Sequence, residues 1–113
     1  MYKCHPNYDL KSYHRSAIMY LIMLQYIRPV AAVEHYMDQH RAFLDKFYKS
    51  GQFILAGRRK PKSGGVILCK ASSRKEVEQI MSEDPLDKYQ LALYEIIEFE
   101  PTSYVNELQA YLS

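Results

Sequence analysis

The amino-acid sequence predicts an α+β domain of the ferredoxin-like class, a plait with the element order β-α-β-β-α-β. Four short apolar stretches have the length and composition of strands: residues 18–26, 52–56, 66–71 and 94–99. Two longer amphipathic stretches, residues 29–50 and 73–84, alternate with them as helices. Three strands carry apolar residues on both faces, and two helices cover only one face of such a sheet. The sequence therefore predicts at least a homodimer, in which two sheets pair about a two-fold axis.

The composition is that of one ordinary domain with nearly balanced charge. The chain has 113 residues, 48% of them apolar, which is enough for a core without disulfides. Its 15 Lys and Arg against 13 Asp and Glu give a formal charge of +2, so we expect no nucleic-acid partner. Two cysteines make no disulfide framework, and we predict a cytoplasmic protein. No phosphate loop, dinucleotide fingerprint, serine elbow or zinc spacing is present, so we expect no cofactor and no metal.

The first segment, residues 1–17, is polar, rich in tyrosine and without a sustained hydrophobic period. We interpret it as an N-terminal arm that is dispensable for folding, and Met19 as a possible alternative start. Residues 18–27 are about half as long as a membrane span requires, so we predict a strand here and no membrane association. A secretory signal is the alternative, because Arg15 precedes this stretch and small residues follow it.

The first helix is predicted from Pro29 to about Ser50. Proline suits the first turn because an N–H there has no partner within the helix. Gly51 can then adopt the left-handed conformation that ends many helices. One face of the helix carries an inward stripe at helical spacing: Val33, Met37, His40, Leu44 and Phe47. A histidine in such a stripe needs a hydrogen-bond partner inside the protein.

A basic turn separates the second and third strands. Arg58, Arg59, Lys60 and Lys62 lie close together here, and Pro61 indicates a hairpin loop. One interpretation is a solvated turn. The other is a rim that attracts anions beside a pocket, in which Arg58 and Arg59 bind a ligand.

The second helix begins with a capping box, in which Ser73 caps an amide and Glu76 reaches back. It ends by Asp84, because Pro85 disfavours the helical conformation of the residue before it. An irregular segment, residues 86–93, leads to the last strand. Residues 102–113 form a C-terminal tail with apolar residues at near-helical spacing.

Three stretches in this order make the chain similar to the YciI-like (YCII-related) family: HRAFLDKFYKSGQFILAG, PKSGGVIL and SEDPLDKYQLALYEIIEFEP. The resemblance implies a family domain at residues 18–101. Members look like ferredoxin-like plaits of the dimeric α+β barrel type, with a proposed His/Asp centre, and most have no assigned reaction. One relative is similar to a dehydrochlorinase that acts on a chlorinated hydroxyquinol-type ring.

The resemblance implies that His40 and Asp84 form the catalytic pair. Both predicted helices lie on one side of the sheet, so the two side chains can approach across the groove between them. Two alternatives stay open: His40 is a structural core residue, and Asp84 only bonds the amides of its own turn. The chain departs from the family at Arg58, where many members have proline, and at Gln90, where many have glycine.

Two functions follow from these residues. The first is a small-molecule lyase, isomerase or hydrolase with His40 as general base and a small anionic or aromatic ligand. The second is a non-catalytic dimeric module that binds a small ligand or has a structural role. Tyr20 and Tyr26 either line a pocket for such a ligand or pack within the protein. Cys69 is either a nucleophile or an inert buried thiol.

Overall fold

The computed structural model describes residues 18–112, so the predicted arm at residues 1–17 lies outside the described part. Four strands form one antiparallel sheet in the order β2-β3-β1-β4, which is the predicted plait. The elements, in chain order, are β1 (Met19–Tyr26), α1 (Val30–His35), α2 (Met37–Lys49), β2 (Phe53–Arg58), β3 (Gly64–Lys70), α3 (Arg74–Met81), α4 (Pro85–Lys88), β4 (Ala92–Phe99) and, after a 3₁₀ turn at Asn106–Leu108, α5 (Gln109–Leu112).

The hydrophobic core lies on the helix-covered face of the sheet. In β1, Tyr20, Ile22 and Leu24 belong to this core, and the residues between them point to the opposite face. Directly paired residues of antiparallel strands share a face, so the register assigns Leu21 and Ile97 to that opposite face. The apolar character of both faces, which the sequence predicted, is present in the fold.

The predicted helix of residues 29–50 is two helices, which corrects the sequence analysis. The chain leaves the helical region at Tyr36, whose φ and ψ are −105° and 10°. Its N–H donates to the carbonyl of Val33 at 3.0 Å, a tighter turn than the α-helix makes. The Tyr36 ring stacks on the ring of Tyr89, with centroids 4.6 Å apart. The hydrophobic period runs through the break without interruption, so the sequence pattern did not reveal it.

The predicted end of this helical region is confirmed. Gly51 has a φ of 84°, in the left-handed region. Its N–H donates to the carbonyl of Tyr48 at 3.0 Å, and the N–H of Gln52 donates to the carbonyl of Phe47 at 3.1 Å. These two bonds are the Schellman arrangement, which satisfies carbonyls that would otherwise end the helix unpaired.

The region after α3 also differs from the prediction. Ser73 caps α3 as expected, by accepting from the N–H of Glu76 at 3.1 Å. The helix ends at Met81, however, and Asp84 begins α4, which occupies part of the segment predicted to be irregular. Gln90, at the position where many family members have glycine, has a φ of 57°. The positive φ gives the physical reason for a glycine preference there.

The β1–β3 pairing requires a glycine at Gly64. A Cβ atom at this position would lie 1.8 Å from the carbonyl oxygen of Leu24, so the backbone would have to move. We expect Gly64→Ala to destabilise the protein by about 1–3 kcal/mol, which lowers the melting temperature by roughly 4–8 °C per kcal/mol. Gly57→Ala is the matched control, since a Cβ there meets nothing within 4 Å. Equal melting temperatures for the two variants, measured by circular dichroism, would contradict this prediction.

Candidate active site

His40 lies on the inward face of α2. Phe43 and Phe47, about one and two turns further on, are buried on the same face, and the His40 and Phe43 ring centroids are 6.0 Å apart. The His40 side chain is 13% exposed, so it is mostly withdrawn from water but still reaches an opening. The predicted inward stripe did not include Phe43. Its position three residues after His40 was the available signal, because residues three apart lie on the same face of a helix.

Asp84 contacts the ring of His40 from the protein interior. Its side chain is fully buried, and its Oδ1 atom lies 2.9 Å from Nδ1 of His40. The same oxygen accepts the N–H of Leu86 at 3.0 Å, which caps α4. The contact predicted between His40 and Asp84 is therefore present, and so is the turn-capping role that was its alternative. The second carboxylate oxygen, Oδ2, is buried without a hydrogen-bond partner among the described residues.

This contact orients the imidazole of His40. An ionised Asp84 can only accept hydrogen bonds, so the neutral ring carries its proton on Nδ1. The other nitrogen, Nε2, then presents a lone pair, and it has no hydrogen-bond partner within residues 18–112. A base with an oriented and unoccupied nitrogen can take a proton from a bound molecule.

His40 opens onto a cleft of about 480 Å³ between the α1–α2 segment and the β2–β3 hairpin. This volume suits a small organic molecule. The apolar part of the lining includes Leu24, Met37, Leu44, Ile67 and Leu86. The charged part consists of Glu34, Asp38, Arg41, Arg58 and Lys62, and the aromatic part of Tyr26 and Tyr48.

The structure separates the four residues that the sequence analysis assigned to a ligand. Arg58 and Tyr26 line the cleft. Arg59 does not: its Nη1 atom donates to the carbonyl of Leu24 at 3.2 Å and fastens the hairpin to β1. Tyr20 is also away from the cleft, buried in the core opposite Cys69. Burial is the main cause that raises the pKa of the Tyr20 hydroxyl. Tyr20 therefore packs, as its alternative interpretation proposed.

Sequence reasoning missed the ion pairs at the mouth of the cleft. Lys62 Nζ lies 2.8 Å from Oε2 of Glu34, and Arg41 lies 3.0 Å from Asp38. The hydrogen bond from Lys62 is the largest of the effects that lower the pKa of Glu34, and Arg58 contributes a smaller one. The sequence contained one signal for these ion pairs. Glu34 and Asp38 are acidic residues one helical turn apart, on a helix predicted to lie near the basic turn of residues 58–62.

Cys69 has the surroundings of an inert thiol. It is fully buried on β3, and burial raises its pKa to about 12. At pH 8 the thiolate fraction is then only about 10⁻⁴. We expect Cys69 to resist alkylation by iodoacetamide in the folded protein and to react once guanidinium unfolds it. A Cys4→Ser background isolates the signal in mass spectrometry, and rapid labelling of the folded protein at pH 8 would contradict the prediction.

Fold and site together define a class: an α+β plait with a histidine and a buried carboxylate at the edge of a cleft. The model of the YCII-related domain family matches residues 19–100, and the chain belongs to this family. A similar solved structure is 5-chloro-2-hydroxyhydroquinone dehydrochlorinase (TftG) from Burkholderia phenoliruptrix AC1100, in complex with 2,5-dihydroxybenzoquinone. The two chains are 19% identical with a TM-score of 0.63, over 73% of this chain and 93% of that one. At this identity the likeness shows the fold alone.

No curated protein matches the chain. Within residues 18–112, no group of three or more histidine, cysteine or acidic side chains is placed to bind a metal ion. None of the helices in the same range has the length and apolar character needed to cross a bilayer.

Proposed function

We propose that this protein is a small-molecule enzyme of the lyase, isomerase or hydrolase type, with His40 as its general base and no organic cofactor. The observation that carries the proposal is the 2.9 Å contact between His40 and buried Asp84 at the edge of an open cleft. His40 is partly exposed at this cleft of about 480 Å³ and is bonded to a buried carboxylate, a combination that core packing by itself does not require. A buried His40 with no opening beside it would have favoured the alternative, a non-catalytic dimeric module that binds a small ligand or has a structural role.

The proposed chemistry begins with a proton transfer. Nε2 of His40 takes a proton from an acidic C–H or O–H of the substrate, and the ring becomes an imidazolium. Asp84, 2.9 Å from Nδ1, stabilises this positive charge in a site withdrawn from water. The electron pair left on the substrate then expels a leaving group or moves within the molecule, and His40 can return the proton to the product.

The cleft favours a ligand with an apolar or aromatic body and a negative charge. Leu24, Met37 and Ile67 offer apolar surface, Tyr26 offers an aromatic ring, and Arg58 a positive charge. The dihydroxybenzoquinone bound by the structurally similar dehydrochlorinase has a ring of suitable size and acidic hydroxyl groups. We therefore propose hydroxylated aromatic rings as the first substrate class to test.

The direct test uses 5-chloro-2-hydroxyhydroquinone as a probe substrate. In the keto tautomer of this ring a hydroxyl proton has moved to the carbon that bears chlorine. His40 then takes a second hydroxyl proton, that oxygen becomes a carbonyl, the electron pair forms the new ring C=C bond, and chloride leaves with the electrons of the C–Cl bond to give hydroxybenzoquinone. Chloride release should exceed the spontaneous rate with the wild-type chain and should return to that rate with His40→Asn. Binding of rings from a panel of halogenated and unhalogenated hydroxyquinols, with no turnover of any of them, would instead support the binding module.

We also propose that the protein is a homodimer whose sheets pair through their uncovered faces. Leu55, Leu93 and Ile97 lie on that face and are 55%, 62% and 41% exposed. A contiguous apolar surface of this kind is typical of an interface. A second copy related by a two-fold axis would cover it.

Ile97→Glu is expected to weaken this dimer by at least about 100-fold, because the two-fold axis places two unpaired charges in one apolar interface. Sedimentation equilibrium at micromolar concentration measures the change. Val30→Glu is the matched control, since Val30 is a similarly exposed apolar residue on α1 and away from the sheet. A wild-type chain that sediments as a monomer under these conditions would reject the dimer.

A further inference from the structure

The charged residues of the cleft form an incomplete set of ion pairs. Three cationic and two acidic side chains line it, apart from His40. Arg41 pairs with Asp38 at 3.0 Å, and Lys62 pairs with Glu34 at 2.8 Å. Arg58 forms no ion pair with any residue in the described range. The cleft therefore has one positive charge without a fixed partner.

Arg58 carries that charge at the exposed rim of the cleft. It is the last residue of β2 and pairs with Gly65 of β3, so its side chain leaves the sheet on the face that the helices cover. Gly65 also lines the cleft and has no side chain to obstruct the guanidinium. A guanidinium in this position can bind a carboxylate or another small anion through two parallel hydrogen bonds.

Glu34 restricts what the other cation can do. Its carboxylate holds Lys62 across the mouth of the cleft, between α1 and the β2–β3 hairpin. A second negative charge on a ligand would have to displace Glu34 from Lys62 and would meet repulsion from Glu34 itself. The same carboxylate is close enough to Arg58 for that cation to contribute to the lowered pKa of Glu34.

We propose that the cleft selects ligands with a single negative charge, which Arg58 binds, and that Glu34 excludes dianions by occupying Lys62. This inference deepens the proposed function and rests on it for the identity of the cleft as the substrate site. It makes Arg58 and Glu34 specificity-determining residues with opposite effects. Arg58 attracts the first negative charge of a ligand, and Glu34 rejects the second.

Three probes of similar shape test the inference: benzoate with one negative charge, isophthalate with two, and neutral benzamide. Dissociation constants are measured by NMR titration of the wild-type protein in the oligomeric state that it has in solution. We expect benzoate to bind more tightly than both other probes. Arg58→Gln should weaken benzoate binding by about 5- to 20-fold and leave benzamide unchanged. Glu34→Gln should strengthen isophthalate binding by about fivefold relative to benzoate.

The controls separate this inference from the proposed function and from the overall charge. Lys60→Gln removes the same charge from the same turn at a residue that does not line the cleft, and it should change none of the ratios. His40→Asn should still discriminate benzoate from isophthalate, so a failure of the general-base proposal leaves this result intact. Equal binding of benzoate and benzamide by the wild type would overturn the inference. So would an isophthalate-to-benzoate ratio that Glu34→Gln does not alter.

Discussion

Replacing His40 with asparagine is expected to lower the turnover of any substrate of the cleft by about 10²–10⁴-fold, the usual contribution of a general base. Asparagine cannot accept a proton at neutral pH, but its amide can still donate to Oδ1 of Asp84, which lies 2.9 Å from Nδ1 in the wild type. The buried carboxylate thus keeps a donor, and we expect the melting temperature to change little.

Steady-state kinetics and thermal melting of the same preparation check this prediction for His40. The control is His35→Asn, the same chemical change at an exposed histidine that does not line the cleft. The control should keep wild-type turnover. A His40→Asn variant that retained its activity and melted far below the wild type would make His40 a core residue only.

The second large effect is expected for Asp84→Asn, which acts through His40. The amide oxygen of asparagine can take the place of Oδ1 and accept from both Nδ1 of His40 and the N–H of Leu86, but the side chain no longer carries the negative charge that stabilises the imidazolium. Loss of such a carboxylate partner of a functional histidine costs about 10- to 100-fold in turnover. We expect this loss in kcat with little change in KM, because Asp84 is buried behind His40 and does not line the cleft.

Stability and spectroscopy distinguish this positioning role from a structural one. Asparagine is a good N-cap, so Asp84→Asn can still accept the N–H of Leu86 and should melt near the wild type. The ¹⁵N chemical shifts of His40 should show that the proton stays on Nδ1, so that the loss in kcat is due to the missing negative charge and not to a displaced ring. Asp87→Asn, the same change three residues away, should leave the tautomer and kcat unaltered. An Asp84→Asn variant with full activity would show that Asp84 only caps α4.

The sequence carried enough information to predict the element order and the inward position of His40. Strand-like and helix-like periods identify which face of each element is buried, and the resulting order matches the sheet β2-β3-β1-β4. Helix ends depend on local capping residues. The predicted roles of Gly51, after the end of α2, and of Ser73, as the N-cap of α3, are therefore both present in the structure. Asp84 was located through the family resemblance, because an Asp-Pro pair by itself indicates only a turn.

The break at Tyr36 and the short helix α4 were not visible in the sequence. Both depend on contacts between distant parts of the chain, including the stacking of Tyr36 on Tyr89. A local hydrophobic period does not record such contacts.

The hydrophobic pattern indicated the buried face of each strand and helix, and only the tertiary structure decided which residues meet at the cleft. Tyr20 and Tyr26 lie on the same face of β1, yet one is in the core and the other lines the cleft. Arg58 and Arg59 are adjacent, yet one faces the cleft and the other binds a backbone carbonyl. The reason is physical: alternation along a strand sets the direction of a side chain, whereas strand register and helix placement set its neighbours, and these depend on packing across the whole domain.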